Sequence, residues 1–594
     1  MVERFLITTA DERSWKTNGP VIFLGEWCRR IDREPAWARL DALVARPVWY
    51  AGRERDRVIE QINVLSRELL LELADFLNDF HGIRKSLRFW RILLGHWIHR
   101  YTCVLFHRWH AIHQVLEDQQ ISSTVLFTGS SLHLAVPDTL SFIWACDDDV
   151  WNNALIGRIL QQMSDVPLEY QSIEARKSLA SPDLLHPPSR IASSWRGLYD
   201  IADEALHLLQ RDDEAFITSS YLPRTQAAML SMRLGHVPQR RPSPTVRVVA
   251  VDANLRSASR LISEPREGFA GFARNMLLQL LPTCFLEGFN SLKSQVEEIQ
   301  WPRRPRLIFT SNSFDTSEVF KLWTAEKVET GCPYIIGQHG NNYGAARYCP
   351  SETECVETAD AFLTWGWRDD KRKCEPAFIL KTAGRSQGRW NPRGGLLLIE
   401  TCLPHLLSAW DPYPEFAMYQ EEQFQFAERL PEAIRRAMTV RLHAEYKRHP
   451  WREDERWRRR QPEVALDDGT TPILALISKS RLVVHSYDST GILETLSLNI
   501  PTLCFWNGGL AHLRDCAIPF YELLAAAGIF HHTPQSAAEK VAAVWNDVGA
   551  WWRSEVVQRS RQSFCEQYAR TRPRPVRTLS RLLLAHSSSV ARRH

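Results

Sequence analysis

The stretch Pro333-Tyr334-Ile335-Ile336-Gly337-Gln338-His339-Gly340-Asn341-Asn342-Tyr343-Gly344 constrains this chain more than any other. A short run of aromatic and β-branched residues stops abruptly in polar residues and glycine. That is the pattern of a buried parallel strand delivering a loop to the edge of an open α/β sheet, where such folds bind ligands. His339 sits in that loop beside Gly340, which has no side chain to keep a substrate at a distance. An imidazole in such a turn suits proton transfer near neutral pH. A histidine that only hydrogen-bonds its own loop is the alternative reading.

Similar runs recur on either side. The segment 305–312 reads as a strand ending in small polar residues, 317–329 as a helix, and 361–366 as a further strand. Strand and helix alternating in this way build a doubly wound sheet. An earlier strand is expected over 21–28, ending at Gly25. Between about 55 and 117 glycine and proline nearly vanish, which predicts a helical insertion. The glycine- and arginine-rich segment 384–395 reads as a linker, and a second strand series follows at 396–401, 439–443, 482–486 and 502–506. The expected fold is therefore α/β, with two Rossmann-like domains facing a central cleft. Residues 1–385 form one lobe with the helical insertion, 392–550 a second lobe, and 551–594 a basic helical tail; the resemblance given below implies that the first takes an acceptor and the second a donor. No Gly-x-Gly-x-x-Gly follows any of these strands, which speaks against a dinucleotide-dependent dehydrogenase and calls for no cofactor.

Composition narrows the class. The net charge of +4 over 594 residues does not indicate a nucleic-acid partner. The 12 cysteines include no Cys-x-x-Cys pair, and the start of the chain has no charged-then-apolar leader pattern, so a cytoplasmic setting is expected. Cys349, Cys355 and Cys374 lack the spacing of a zinc site. No apolar run approaches the ~18 residues that span a bilayer, so any membrane contact is expected to be peripheral. Two features suit such contact. One is the apolar stripe Leu87, Trp90, Leu94, Trp97, Tyr101 and Val104, with Arg88, Arg91, Arg100 and Arg108 opposite, which reads as a core-packing or an interfacial helix. The other is the arginine-rich end after Trp552, suited to anionic lipid or to a solvated terminus.

Four further clusters look chemical. Asp147-Asp148-Asp149 follows an apolar run at 141–146 that reads as a strand, and it suits either helix capping or a divalent ion on a nucleotide. Arg448 and His449, within Tyr446-Lys447-Arg448-His449-Pro450, are cationic donors able to grip phosphate. Ser486, Ser489 and Thr490 open a helix whose positive end suits an anion. Glu494, one turn further on, suits ribose hydroxyls. Gln338, Gly340 and Tyr343 are expected to support the His339 loop.

The Gln338-His339-Gly340 loop, the Lys447-to-Pro450 segment and the Ser486-x-x-Ser489-Thr490-x-x-x-Glu494 helix start together resemble the two-lobed GT-B glycosyltransferases. The nearest in pattern are bacterial sialyl- and Kdo-transferases and, more distantly, CDP-glycerol polymerases. Phe309 to Ser313, Thr364-Trp365-Gly366-Trp367 and Val21 to Cys28 further resemble a transferase family found in O-antigen and surface-polysaccharide clusters. The resemblance implies a metal-independent glycosyltransferase moving a sugar from a nucleotide-activated donor, CMP-linked among the candidates, to a glycan or lipid-linked glycan at the inner face of the membrane. His339 would be the base, and Arg448, His449, Ser486, Ser489, Thr490 and Glu494 would hold the donor. Two other classes fit the same residues: a non-catalytic nucleotide- or glycan-binding scaffold, and a metal-dependent transferase centred on Asp147 to Asp149.

Overall fold

The computed structural model describes residues 2–50, 52–129, 132–173, 211–239, 241, 243–259, 267–385, 387–402, 416–449 and 451–590. The expected Pro450 and residues 591–594 of the tail fall outside these. Three sheets organise the chain, and every strand pair in them is parallel.

The first sheet has the order β3-β2-β1-β4-β5, from β1 (Arg4–Ile7), β2 (Val21–Phe23), β3 (Ala42–Val44), β4 (Ile121–Thr128) and β5 (Leu168–Ser172). The second runs β10-β9-β8-β7-β6, from β6 (Phe216–Thr218), β7 (Ile308–Thr310), β8 (Tyr334–Gly337), β9 (Ala361–Thr364) and β10 (Cys374–Pro376). The third has the order β13-β12-β11-β14-β15-β16, from β11 (Gly395–Ile399), β12 (Met438–Arg441), β13 (Ala465–Asp467), β14 (Ser480–His485), β15 (Thr502–Phe505) and β16 (Phe530–His531). The residues read from sequence as one N-terminal lobe thus carry two separate sheets. The strands missed there, β3 to β6 among them, are short or partly exposed and lack a continuous apolar run.

The helical insertion is two long helices, α1 (Gly52–His81) and α2 (Leu87–Asp118), between β3 and β4. Ser86 caps α2 by accepting from Phe89 N–H. Trp90, Trp97, Tyr101 and Val104 are fully buried, as the stripe predicts. The arginine face is not a membrane surface: Arg91 pairs with Glu354 at 2.9 Å, Arg88 with Asp360 at 3.1 Å and Arg100 with Asp315 at 2.6 Å. A helix packed on both sides belongs to the interior, so the interfacial reading of α2 is corrected. Among the described residues no helix is long and apolar enough to cross a membrane.

The run at 141–146 is a helix, Thr139–Ala145, capped by Asp138, rather than a strand. Its apolar residues alone do not distinguish the two. A second short turn leads to α3 (Asp149–Met163). In the second sheet, α4 (Glu318–Glu329) lies between β7 and β8, and α5 (Pro350–Thr358) between β8 and β9. In the third, α6 (Phe416–Arg429) follows β11 and α7 (Thr490–Ser497) follows β14.

The tail is not a frayed end. Helix α8 (Glu555–Tyr568) packs beside α7, and the chain then crosses back to the second sheet, where Arg570 N donates to Trp365 O and Ile379 N donates to Arg570 O, both at 2.8 Å. Helix α9 (Pro575–Val590) buries Leu579 and Leu583 against Phe309, Ile335 and Leu363. The C-terminal segment is a strap joining the second and third sheets.

Candidate active site

A cavity of about 540 Å³ opens between the second and third sheets. The third sheet's order reverses between β11 and β14, and in open α/β sheets that reversal leaves a crevice at the carboxyl ends of the strands. Thr401, just after β11, and Tyr487 to Thr490, just after β14, line the cavity there. Trp506 and His512, after β15, extend the same wall. The opposite wall is the 339–342 loop after β8, and α2 closes the side with His96, His99 and Arg100.

His339 therefore reaches the cavity on the loop that its strand pattern predicts. Its Nδ1 lies 3.2 Å from the Ser311 carbonyl, which can only accept, so Nδ1 carries the proton and Nε2 holds the lone pair. Tyr221 O–H approaches the ring at 3.3 to 3.4 Å, and burial pushes that phenol up to about 12, keeping it protonated. Burial lowers the His339 pKa, against an opposing pull from Asp315. Nε2, which the Tyr221 hydroxyl approaches at 3.4 Å, holds the lone pair that a general base needs, and an acceptor hydroxyl would take that hydroxyl's place.

Gln338, Gly340 and Tyr343 hold the loop in place through their own contacts. Gln338 is buried, accepts from Trp365 N–H at 2.8 Å and Trp367 Nε1–H at 2.9 Å, and donates to Gly340 O at 2.8 Å. A side chain on Gly340 would place a carbon 2.7 Å from Thr490 Oγ1, so this glycine permits the close approach of two sheets. Tyr343 is buried and stacks on Phe362 at 5.6 Å.

The α7 start meets this loop directly. Asn341 N donates to Thr490 Oγ1 at 3.0 Å, and Asn341 Nδ2 to Asp488 Oδ1 at 2.6 Å. Ser489 is the N-cap, accepting from Ile492 N–H at 3.3 Å, and its hydroxyl also meets His485. Ser486 lies beneath the wall, bonded to Tyr419 O–H at 2.9 Å and donating to Ile399 O at 3.3 Å. These hydroxyls build the crevice; the N-terminus of α7 is what they present to it. Glu494 does not line the cavity and pairs with Lys381 at 3.1 Å, so the ribose role assigned to it is replaced by an ion pair between sheets.

Arg448 and His449 do not join the site. His449 Nδ1 lies 2.7 Å from Asp147 Oδ2 in a buried pair, and Arg448 pairs with Glu445 at 3.0 Å and stacks over Trp144 at 5.0 Å. Both face the first sheet's side of the molecule and neither lines the cavity, which corrects the phosphate-gripping role read from sequence. The pattern suited phosphate because donors after a strand of one sheet look alike whichever neighbour they face. The three acidic residues also part company. Asp148 caps α3 by accepting from Trp151 N–H at 2.8 Å, Asp149 accepts from Ala10 N–H at 3.1 Å, and Asp147 meets His449. Capping is thus the role of Asp148, and among the described residues no group of three or more His, Cys, Asp or Glu is placed to hold a metal ion.

Sequence reasoning missed Asp488 and His512. Asp488 Oδ2 lies 2.9 Å from His512 Nε2, and Tyr521 O–H donates to the same carboxylate at 3.1 and 3.2 Å. Asp488 stood within a segment already singled out, between Tyr487 and Ser489, but His512 lies in an irregular loop with no periodic signal.

A parallel α/β chain with a cleft at a topological switch point offers a ligand site there, with an imidazole placed to accept a proton. The chain matches the LIC12162 family transferase over residues 4–583 and belongs to that family. No curated protein matches it. Solved structures similar to it include the wall teichoic acid polymerase TagF with CDPG (10% identity, 66% of this chain and 93% of that one, TM-score 0.34). Others are WaaG, a glycosyltransferase of lipopolysaccharide biosynthesis (11%, 62% and 99%, 0.30), and S. aureus MnaA with UDP (12%, 51% and 79%, 0.33). With TM-scores below 0.5, these likenesses add nothing to the family assignment.

Proposed function

We propose that this transferase is a glycosyltransferase whose donor is a nucleotide-activated sugar and whose acceptor is a hydroxyl of a surface glycan. The observation that carries the reading is the cavity at the third sheet's switch point, walled on its far side by a neutral, oriented imidazole. The nucleotide takes the third-sheet wall, where the N-terminus of α7 favours an anion. The acceptor takes the α2 wall. His339 Nε2 accepts the acceptor's proton as the acceptor oxygen bonds the anomeric carbon, and the bond from that carbon to the phosphate oxygen breaks with its electron pair left on phosphate. The lobes already touch through Asn341 and Thr490, so the reacting atoms are shielded from water that would hydrolyse the donor. The exposed Arg572, Arg574, Arg577 and Arg581 on the strap favour an anionic membrane surface, where a lipid-linked acceptor resides.

Thermal-shift titration with CMP, CDP, UDP and GDP tests the donor half, because a ligand of the folded state raises its melting temperature. Stabilisation by one of them, followed by transfer from the matching nucleotide-sugar, supports the reading. Binding without hydrolysis or transfer favours a scaffold, and no stabilisation by any of the four overturns the donor assignment.

A further inference from the structure

His512 has the setting of a charged contact rather than of a base. Its Nε2 is held 2.9 Å from Asp488 Oδ2, so Nε2 carries a proton, and Nδ1 has no protein partner among the described residues. The Asp488 carboxylate is buried and receives donors from three directions, Asn341 Nδ2 at 2.6 Å, Tyr521 O–H at 3.1 Å and His512. A carboxylate so occupied is suited to orienting the imidazole and stabilising its protonated form, not to touching a ligand itself.

Of the two arginines that line the cavity, Arg100 is bidentate with Asp315 at 2.6 and 2.9 Å, whereas Arg55, on α1, donates to the Ala511 carbonyl at 2.7 Å beside His512 and brings a second positive charge to this end of the cavity. Lys381 pairs with Glu494, and Arg448 and His449 face away. Among the described residues of the third sheet that line the cavity, His512 is the one side chain able to carry positive charge. It shares that wall with the N-terminus of α7, whose dipole favours the same kind of ligand.

We propose that His512 is the cationic seat for the donor's departing phosphate, and that Asp488 is its positioning residue. The assignment rests on the glycosyltransferase reading and separates the two imidazoles by role. His339 Nε2 takes the acceptor proton. His512, doubly protonated, donates a hydrogen bond from Nδ1 to the phosphate oxygen that receives the bonding pair, and keeps its own proton. Because Asp488 is also bound by Asn341 from the His339 loop, the two imidazoles are held in one frame across the cavity.

The test is calorimetric titration of the full chain with CMP, CDP and UDP, with cytidine and uridine as controls that lack phosphate. His512→Gln is expected to weaken the tightest of these nucleotides roughly 10- to 150-fold while leaving its nucleoside unchanged. His512→Lys, which keeps a cation, should recover most of the loss, and Asp488→Asn should fall between the two. Should His512→Gln melt early, the His512 Nδ1 resonance of the ¹⁵N-histidine wild type, assigned with the Lys variant, reads the contact directly and should move with nucleotide but not with nucleoside. A folded His512→Gln that binds nucleotide as the wild type does, or a resonance that does not move, overturns the assignment while leaving the transferase reading intact. Loss of nucleotide and nucleoside binding together assigns His512 to structure alone and overturns it as well. No nucleotide binding by the wild type overturns both.

Discussion

The first and third sheets share a strand order around their reversal, β3-β2-β1-β4 in one and β13-β12-β11-β14 in the other, yet the two crevices differ: at the end of β4 a space of about 700 Å³ lies toward β5, lined by Phe127, Thr128 and Tyr170. At the first reversal itself, between β1 and β4, side chains bind the strand ends. Asn153 Oδ1 accepts from Phe127 N–H at 2.8 Å and its amide donates to Val125 O at 2.9 Å. Trp27 Nε1 donates to Thr8 O at 3.2 Å, Trp15 Nε1 to Thr9 O at 2.9 Å, and Asp149 takes Ala10 N–H. At the third sheet's reversal the strand ends carry Thr401 and Tyr487 to Thr490 as cavity wall. Topology supplies the place for a ligand, and the side chains at the strand ends decide whether it stays vacant.

The widest contrast should come from His339. His339→Ala is expected to lower turnover roughly 100- to 10,000-fold with nucleotide affinity and melting temperature near normal, since its partners are one carbonyl and one phenol. Full turnover in the folded variant would end its assignment as base.

Acid should strain the N-terminal half more than the third sheet. On α2, burial holds His96 at about 3, His99 at about 4 and His110 at about 4, with His107 also well below its ordinary value, four groups on one helix; in the third sheet burial holds His485, on β14, at about 3 and His531, on β16, at about 4. The unfolded chain takes up protons from about pH 6.5 downward while the folded helix does not. Stability is therefore full above about 6.5 and declines as pH falls toward these folded values. Hydrogen exchange should report earlier loss of protection along 87–118 than along β11, which carries no histidine; uniform loss would remove the distinction.

The hydrogen-bonded reversal between β1 and β4 should answer to stability rather than binding. Asn153→Leu orphans the buried Phe127 N–H and is expected to cost about 1–3 kcal/mol in denaturant unfolding, with no change in nucleotide affinity. A loss of affinity would mean the two crevices are coupled. Smallest of all, Arg448→Ala removes a partly exposed ion pair and a stack on Trp144, expected at under about 1 kcal/mol. Weakened nucleotide binding in this variant would restore the phosphate role that its sequence setting suggested.

Much of the second and third sheets was legible because parallel strands buried on both faces read as short continuous apolar runs. β7, β8, β9 and β15 lie within segments expected as strands, β11, β12 and β14 begin one or two residues before theirs, and α4 begins one residue after its predicted start. The first sheet was harder to read. Of its strands only β2 fell in an expected segment, and the apolar run at 141–146 formed a helix because Asp138 caps it. In the site, His339 and its supports were legible because chemistry and strand end coincide in sequence. Arg448 and His449 carried the same signal, and packing turned them toward Asp147.

What the sequence determined by itself is local: the inner strands of the second and third sheets, that they are parallel, and that a polar loop with one histidine ends β8. Periodicity, apolar runs and turn residues act over a few positions and need no distant partner. Only the tertiary structure decided which strand ends face each other. The Asp488–His512 pair spans 24 residues, Asn341 meets Asp488 across 147, and His449 meets Asp147 across 302. Such pairings depend on how three sheets and a C-terminal strap dock, and a hydrogen bond or ion pair between distant residues leaves no periodic trace in either partner's neighbours.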